Sequence, residues 1–206
     1  RELGGNDAFI VLEDGDVDLA VEELIWGRMY NTGQVCCASK RFLIHKNRVE
    51  EFTAKAVERI KQLKQGMPAE ESTQIGCLIS EKAAIKVEEQ IKLTVEQGGK
   101  VILGGTRDGA FIAPTVIADV PKTADVAVDM EIFGPVVPII AFDTTEEAVE
   151  IANGSKFGLC GCVFTENMKT AMKVCNALEC GGTIINGASF FRSFEMPFGG
   201  YKYSGI

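Results

Sequence analysis

The sequence predicts an α/β fold in which a mainly parallel sheet is flanked by helices, and three observations support this prediction. Short apolar runs that are typical of buried strands alternate with amphipathic segments of helical period. Short turns join these segments, without internal repeats or low-complexity linkers. At 206 residues and 46% hydrophobic content, the chain can bury one substantial core. We therefore expect a single domain over residues 1–206.

The predicted strands are apolar runs bounded by turn residues. They span residues 7–12, 41–45, 100–103, 111–120, 136–140, 158–164 and 182–185. Pro114 interrupts the fourth run, and a proline removes a hydrogen-bond donor from the ladder, so we expect that strand at an edge. A long loop rich in Phe and Gly follows the last strand, over residues 186–206.

The predicted helices each follow a residue that can cap a helix N-terminus. They span residues 17–31 after Asp14 or Asp16, 49–65 after Asn47, 81–97 after Ser80, 145–153 after Thr144, and 167–179 opened by Asn167. Gly33 is expected to end the first of them, because glycine adopts the left-handed conformation that often terminates a helix.

Charge and cysteine usage exclude several classes of protein. A net charge of −8 argues against nucleic acid or an anionic membrane as a partner, since both need a clustered positive surface. Seven cysteines without a disulfide spacing predict reduced thiols and a cytoplasmic protein. With one histidine in the chain, we expect no zinc site at Cys160 and Cys162. The chain lacks an initiator Met and ends in a glycine-rich stretch, so we expect a fragment of a longer protein.

The adjacent cysteines Cys36 and Cys37 follow a turn at Gly33, between a predicted helix and a predicted strand. A thiol at such a junction can be exposed and activated as a nucleophile, whereas the alternative is a pair of small buried side chains. The usual base for a cysteine is histidine, but His45 ends a predicted strand and is expected at the surface. A carboxylate that activates water for attack on a thioester is the remaining option.

Four blocks of residues together resemble the aldehyde dehydrogenase superfamily. They are ELGGN at residues 2–6, NTGQVC at 31–36, EIFGP at 131–135 and PFGGYKYSG at 197–205. Their order and spacing match that family over essentially the whole chain, with the succinate-semialdehyde and lactaldehyde branches the most similar. The resemblance implies the family's catalytic-domain fold for residues 1–206. It also implies that the N-terminal cofactor-binding domain of the family is absent from this chain.

The resemblance assigns catalytic roles to two residues. Cys36 is the nucleophile that forms a thiohemiacetal with the aldehyde and then a thioester, and Glu2 is the general base for the hydrolytic water. The backbone N–H of Cys36 supplies an oxyanion donor. Cys37 is expected to be a packing residue, because its thiol points elsewhere, and a Cys36–Cys37 disulfide remains a minor alternative.

The resemblance also implies a nicotinamide cofactor, NAD or NADP, held mainly by the missing domain. Glu131 is expected to hold the nicotinamide ribose, Phe133 to pack beside the ring, and Leu3 and Gly4 to pass near it. We expect the chain alone neither to bind NAD tightly nor to oxidise aldehydes, and the full-length enzyme to be a homo-oligomer.

The aldehyde is expected to meet Tyr30, Arg192 and Phe198. Succinate-semialdehyde enzymes usually carry an arginine where this chain has Tyr30, which argues against a carboxylated substrate unless Arg192 provides the anchor. Two alternatives stay open. One is a cysteine-dependent hydrolase or acyltransferase, including a CoA-acylating relative, and the other is a non-catalytic oligomerisation module.

Overall fold

A computed structural model describes residues 3–205, and its largest feature is a set of strands that confirms most of the predicted apolar runs. The strands are β1 Asp7–Val11, β2 Ser39–His45, β3 Lys100–Leu103, β4 Arg107–Asp108, β5 Phe111–Ile112, β6 Thr115–Ala118, β7 Val136–Phe142, β8 Phe157–Gly158, β9 Cys160–Phe164, β10 Gly182–Ile185 and β11 Tyr201–Lys202.

Seven strands form one sheet in the order β10-β9-β1-β2-β7-β6-β3. Every neighbouring pair is parallel except β3 and β6, which are antiparallel. Two small antiparallel pairs, β4 with β5 and β8 with β11, lie outside this sheet. The predicted α/β fold with a mainly parallel sheet is confirmed.

Helices cover both faces of the sheet. They are α1 Val17–Leu24, α2 Val49–Lys61, α3 Glu81–Glu96, α4 Asp125–Val128, α5 Thr145–Asn153 and α6 Met168–Ala177. No helix within residues 3–205 combines the length and the apolar character needed to cross a bilayer.

Two apolar clusters divide the core between the two faces, because successive side chains of a strand point in opposite directions. Phe9 and Phe42 lie in the cluster that packs against α1 and α2. Ile10 and Leu43, one residue further along β1 and β2, lie in the cluster that packs against α3, α5 and α6. All five residues of β1 are buried, which agrees with its central place in the sheet.

The helix predicted over residues 17–31 extends to Met29, but its second half is not a regular α-helix. The α-helix ends at Leu24, and a wide π turn, Ile25–Met29, follows it. This wide turn accompanies the complete burial of Arg28, whose guanidinium donates to the carbonyls of Val136 at 2.7 Å and Ile132 at 2.9 Å. A period-based prediction treats Arg28 as a solvent-facing residue and therefore misses the turn.

Two capping and boundary predictions also differ from the structure around α2. Asn47 lies in a 3₁₀ turn before the helix, and its side chain donates to Glu13 at 2.7 Å instead of capping. The helix ends at Lys61, because the chain then turns to pair Gln65 with Ile75 in an isolated bridge. Ser80, Thr144 and Asn167 do cap their helices as predicted.

The expected edge position of the strand after Pro114 is also wrong. That run divides into β5 and β6, with Pro114 between them, and β6 lies inside the sheet between β7 and β3. Since Pro114 precedes β6, all four residues of the strand keep their N–H groups for pairing.

Candidate functional site

The segment of residues 31–38, here called the Cys36 turn, lies just before the amino end of β2. Its first residues have an unusual backbone conformation. Asn31, Thr32 and Gly33 have φ angles of 49°, 58° and 76°, three left-handed residues in succession. Thr32 is β-branched, for which this conformation is strained. The turn is held by hydrogen bonds between Asn31 and Gln34, in which each side-chain amide donates to the other residue's backbone carbonyl at 3.2 and 3.1 Å.

Gly33 brings this turn against the block at residues 131–135. A Cβ atom on Gly33 would lie 2.3 Å from the carbonyl oxygen of Gly134, so a side chain does not fit. Two more contacts of the turn reach residues 76–79. The Thr32 hydroxyl accepts from the N–H of Gly76 at 3.2 Å, and the Gln34 side chain accepts from the N–H of Ile79 at 2.8 Å.

Cys36 and Cys37 differ in their surroundings. All seven cysteines lie within residues 3–205 and are reduced, and Cys36 is half-buried. Cys37 is buried in an apolar cluster with Leu159 and Cys160, which confirms its packing role. The hydrogen bond that its thiol makes with Cys160, together with burial, raises the pKa of Cys37 to about 11. A protonated thiol is a poor nucleophile, so Cys36 is the reactive candidate of the pair.

Lys40 is an ionic centre beneath the Cys36 turn. Its side chain is 1% exposed, and its ammonium donates to the carbonyl of Val35 at 3.0 Å and to that of Cys36. The same nitrogen lies 3.3 Å from Oε1 of Glu131 and 5.5 Å from the ring centre of Phe133. Burial lowers the pKa of Lys40, and the charges of Asp7 and Glu131 oppose that effect.

The backbone at Gly4, one of the residues expected near the cofactor, lies beside the carboxylate of Glu131. The N–H of Gly5 donates to its Oε1 at 3.1 Å. Gly4 has a φ of 110°, and a Cβ atom there would lie 2.8 Å from its Oε2. The side chains of Phe133 and Leu3 are exposed, at 40% and 64%. Glu2, the expected general base, lies outside the described residues.

This arrangement fits the nicotinamide end of a dinucleotide. It offers a carboxylate acceptor for ribose hydroxyls at Glu131 and an exposed aromatic face at Phe133. The glycines of the chain do not form the GxGxxG pattern of a dinucleotide-binding turn. Glu131 and Phe133 are therefore the residues that suit such a cofactor here, at its nicotinamide end.

Asp7 was not singled out by the sequence and lies at the amino end of β1. It is 2% exposed, and its Oδ1 accepts from the N–H of Cys160 at 3.1 Å. Its Oδ2 has no hydrogen-bond partner among residues 3–205. Burial raises the pKa of Asp7 to about 7, against the opposing charges of Lys40 and Arg41.

The expected substrate residues form two groups near the cysteines. Tyr30 is half-exposed and stacks on Phe190 with ring centres 5.6 Å apart, and Trp26 lies 5.1 Å from Tyr30 and 5.4 Å from Phe190. Phe190 in turn packs against the cluster that holds Cys37, and Cys36 packs there as well. An aromatic wall of Trp26, Tyr30 and Phe190 thus extends from the cysteine turn.

Arg192 and Phe198 contact each other, with the guanidinium carbon 4.9 Å from the ring centre. Nη2 of Arg192 donates to the sulfur of Cys160 at 2.6 Å, and Nη1 donates to the carbonyl of Phe191 at 2.8 Å. Its Nε has no partner among residues 3–205. These two bonds use two of the five N–H donors of the guanidinium, so Arg192 keeps donors for a further acceptor.

His45 does not lie at the surface, contrary to the prediction. It is 8% exposed, its ring meets Phe142 edge-on at 5.5 Å, and its Nε2 lies 3.1 Å from the carbonyl of Asp143. It occupies the carboxyl end of β2, whereas Cys36 precedes the amino end of that strand. A seven-residue strand is roughly 20 Å long, so His45 is out of reach as a base for Cys36.

Comparison with known proteins agrees with this geometry. The profile of the aldehyde dehydrogenase family matches residues 1–206. The chain is 42% identical over 205 residues to a lactaldehyde dehydrogenase of Methanococcus maripaludis, covering 100% of the chain and 44% of the relative. The chain thus spans less than half the length of the curated relatives that it matches.

Solved structures show the same likeness. A succinate-semialdehyde dehydrogenase from Burkholderia pseudomallei superposes with a TM-score of 0.96 at 37% identity, over 100% of this chain and 43% of that one. A betaine aldehyde dehydrogenase from Staphylococcus aureus, in complex with NAD+ and with a BME-modified cysteine, gives a TM-score of 0.94 at 34% identity over the same shares. The resemblance inferred from the four sequence blocks is confirmed, and the chain belongs to the aldehyde dehydrogenase family.

Proposed function

We propose that this chain is the catalytic portion of an NAD(P)-dependent aldehyde dehydrogenase, with Cys36 as its nucleophile. The observation that carries the proposal is the convergence of all four blocks on one site. Gly33 contacts Gly134, Gly5 donates to Glu131, and the N–H of Leu3 donates to the carbonyl of Ser204 at 3.0 Å. A Cβ on Gly5 would lie 3.0 Å from the carbonyl of Cys36.

The chemistry assigned to these residues begins at the Cys36 sulfur, which attacks the aldehyde carbon to form a thiohemiacetal. The backbone N–H of Cys36 stabilises the oxyanion. NAD(P)+, when bound, would accept the hydride that the thiohemiacetal loses as it becomes a thioester, and Glu131 and Phe133 would hold its ribose and ring. Glu2 then takes a proton from the water that hydrolyses the Cys36 thioester, releasing the carboxylate.

A short aldehyde is the proposed substrate. The aromatic wall of Trp26, Tyr30 and Phe190 presents apolar faces beside the cysteine turn, and the relatives' own names refer to lactaldehyde and succinate semialdehyde. Because the Nε of Arg192 has no partner among residues 3–205, this guanidinium can anchor a carboxylated aldehyde, while the aromatic wall suits a neutral one.

The nucleophile is tested without a cofactor, by acylation of the 206-residue chain with p-nitrophenyl acetate. The acetyl group moves to the sulfur, p-nitrophenolate leaves, and the thiol proton passes to solvent. We expect a burst of one p-nitrophenolate per chain and an acetylated peptide that contains Cys36. The burst should vanish in Cys36→Ser and persist in Cys77→Ser, a matched control because Cys77 is also half-buried.

A burst that survives Cys36→Ser, or the absence of a burst from the wild type, refutes the proposal.

The cofactor is tested by calorimetric titration of the chain with NAD+. We expect no micromolar binding, because no GxGxxG turn is available for the phosphates. Micromolar binding, or NADH formation with lactaldehyde by the chain alone, contradicts that expectation.

A further inference from the structure

Lys40 is a charged residue of this site that no sequence block includes. It stands at the second position of β2, a strand whose seven residues are all buried. Its ammonium faces four oxygen atoms, which belong to the carbonyls of Val35, Cys36 and Ala38 and to the carboxylate of Glu131. Three of these oxygens lie in the turn that holds the candidate nucleophile.

The surroundings determine the charge state of Lys40. All four contacting oxygens are acceptors, the carbonyl of Ala38 being the most distant at 3.4 Å. A neutral amine has two N–H donors, whereas an ammonium has three and an attractive charge for Glu131. Burial and the nearby charge of Arg28 favour the neutral form, whereas Asp7, the acceptor geometry and the ion pair with Glu131 at 3.3 Å favour the cation.

The contacts of Lys40 connect two parts of the chain with different proposed tasks. On one side lies the backbone of the Cys36 turn, and on the other lies Glu131, whose Oε1 also accepts from the N–H of Gly5. This single buried cation thus sets the distance between the backbone of Cys36 and the carboxylate of Glu131, which is proposed to hold the ribose. A buried ion pair is worth little as a stability element, which makes a geometric task the better account of its presence.

We infer that Lys40 is a positioning residue, which orients the Cys36 turn and Glu131 relative to each other for the reaction. This inference rests on the proposed function. Because Lys40 acts through backbone carbonyls of residues 35–38, its loss loosens the turn that presents the Cys36 thiol and its oxyanion-binding N–H. Because Lys40 also acts through Glu131, we expect substitutions of Lys40 and of Glu131 to have coupled effects on the rate.

The test compares burst rates with p-nitrophenyl acetate over pH 6–10 for Lys40→Met and wild type. We expect the rate at pH 7 to fall tenfold or more and the pH midpoint of the rate to move upward, since a cation that favours the thiolate is gone. Lys156→Met is the matched control, because Lys156 also faces a carboxylate, Asp129 at 4.0 Å, and a phenyl ring, Phe157 at 5.3 Å. The control should keep the wild-type rate and midpoint.

A second variant covers the case in which Lys40→Met does not fold. Glu131→Gln keeps Lys40 and an acceptor for Gly5 but removes the ion pair, and we expect its burst rate to fall at least threefold. In Lys40→Met/Glu131→Gln, the fall should be smaller than the product of the single effects. Circular dichroism and urea unfolding confirm that each variant is folded before its rate is used.

The outcomes separate this inference from the proposed function. A wild-type chain without a Cys36 burst refutes the proposed function. A normal wild-type burst with an unchanged rate and pH midpoint in folded Lys40→Met overturns the role of Lys40 and leaves Cys36 as the nucleophile. If Lys40→Met is unfolded, an unchanged rate in Glu131→Gln overturns it instead.

Discussion

Asp7 is an acid buried among cations at the amino end of the central strand. Its Oδ1 has one backbone donor, its Oδ2 has none among residues 3–205, and the neighbouring charges that face it are those of Lys40, Arg41 and Cys36. The two cations do not offset the cost of burial, so the pKa of Asp7 rises to about 7. The folded protein therefore holds a proton on Asp7 that the unfolded chain releases near pH 4.

This proton makes stability depend on pH, in a direction opposite to that of an ordinary paired carboxylate. Between about pH 4 and pH 7, the folded state binds more protons than the unfolded state, so the free energy of unfolding falls as pH rises. One pKa unit corresponds to about 1.4 kcal/mol, so the contribution lost across that range is about 4 kcal/mol. Above pH 7, this contribution is gone.

Asp7→Asn removes the titrating group and should flatten this slope. We expect urea unfolding at pH 5 and pH 7 to show a smaller stability difference in Asp7→Asn than in the wild type. Asp108→Asn, a change at an exposed acid, should keep the wild-type difference. An identical slope in Asp7→Asn and wild type contradicts the assignment of the proton to Asp7.

At the scale of an element, the left-handed turn before Cys36 is the piece that joins two distant blocks. Residues 31–33 carry positive φ angles, and Gly33 touches the backbone of Gly134 across the site. Asn31 and Gln34, which identify the family in the sequence, are engaged with each other and with residue 79. Their task in this structure is to shape the backbone that carries Cys36.

Gly33→Ala tests that turn. Gly109→Ala is its matched control, since Gly109 also has a positive φ, 55°, but has nothing within 4 Å of an added Cβ. Gly109→Ala should lower the free energy of unfolding by about 1 kcal/mol, from backbone strain alone. Gly33→Ala adds a clash with Gly134 and should cost about 3 kcal/mol in urea unfolding and slow the Cys36 burst. Equal costs for the two variants show that the close approach to Gly134 is not needed.

Predictions that depend on a few neighbouring residues are confirmed. Examples are the strand predicted from the apolar run at residues 182–185 and the helix cap predicted at Ser80. The four blocks locate Cys36, Glu131 and Phe133 in one region, because their identity and spacing carry information that local periodicity lacks.

The failures have a common physical cause, which is a contact with residues far along the chain. Arg28 turns inward to reach carbonyls 104 and 108 residues away, within the π turn that replaces the expected α-helix. Lys40 and Asp7 are charged residues in buried strands, and each has a partner far along the chain, Glu131 and Cys160. The sequence did contain one signal of buried charge at this site. Two consecutive cations, Lys40 and Arg41, stand at the start of an apolar run that is typical of a buried strand.

At the scale of the whole molecule, the sheet has a distinct core on each face, and β1 contributes to both. Phe9 is fully buried, and its ring centre lies 4.6 Å from that of Phe164 and 5.0 Å from that of Phe42. It therefore sits where three neighbouring strands of the sheet meet the helices α1 and α2.

Phe9→Ala should destabilise the fold by about 3–5 kcal/mol, because it leaves a cavity between rigid strands. Phe194→Ala makes the same chemical change at a fully exposed side chain and should alter stability by no more than about 0.5 kcal/mol. Urea unfolding followed by circular dichroism measures both. A loss below about 1 kcal/mol for Phe9→Ala means that the core on this face is not the one described.

The central place of β1 has a consequence for how the protein is made. β1 is the first strand of this chain, but its hydrogen-bonded neighbour β9 begins about 150 residues later, as in the contact between Asp7 and Cys160 across 153 positions. At ribosomal speeds of about 5–20 residues per second, one edge of β1 waits on the order of ten seconds for its partner. During that interval, the nascent chain exposes an apolar strand beside the Cys36 turn. Until β9 is made, that edge of β1 keeps its N–H and C=O groups unpaired, so association with other chains during synthesis is the hazard that this strand order carries.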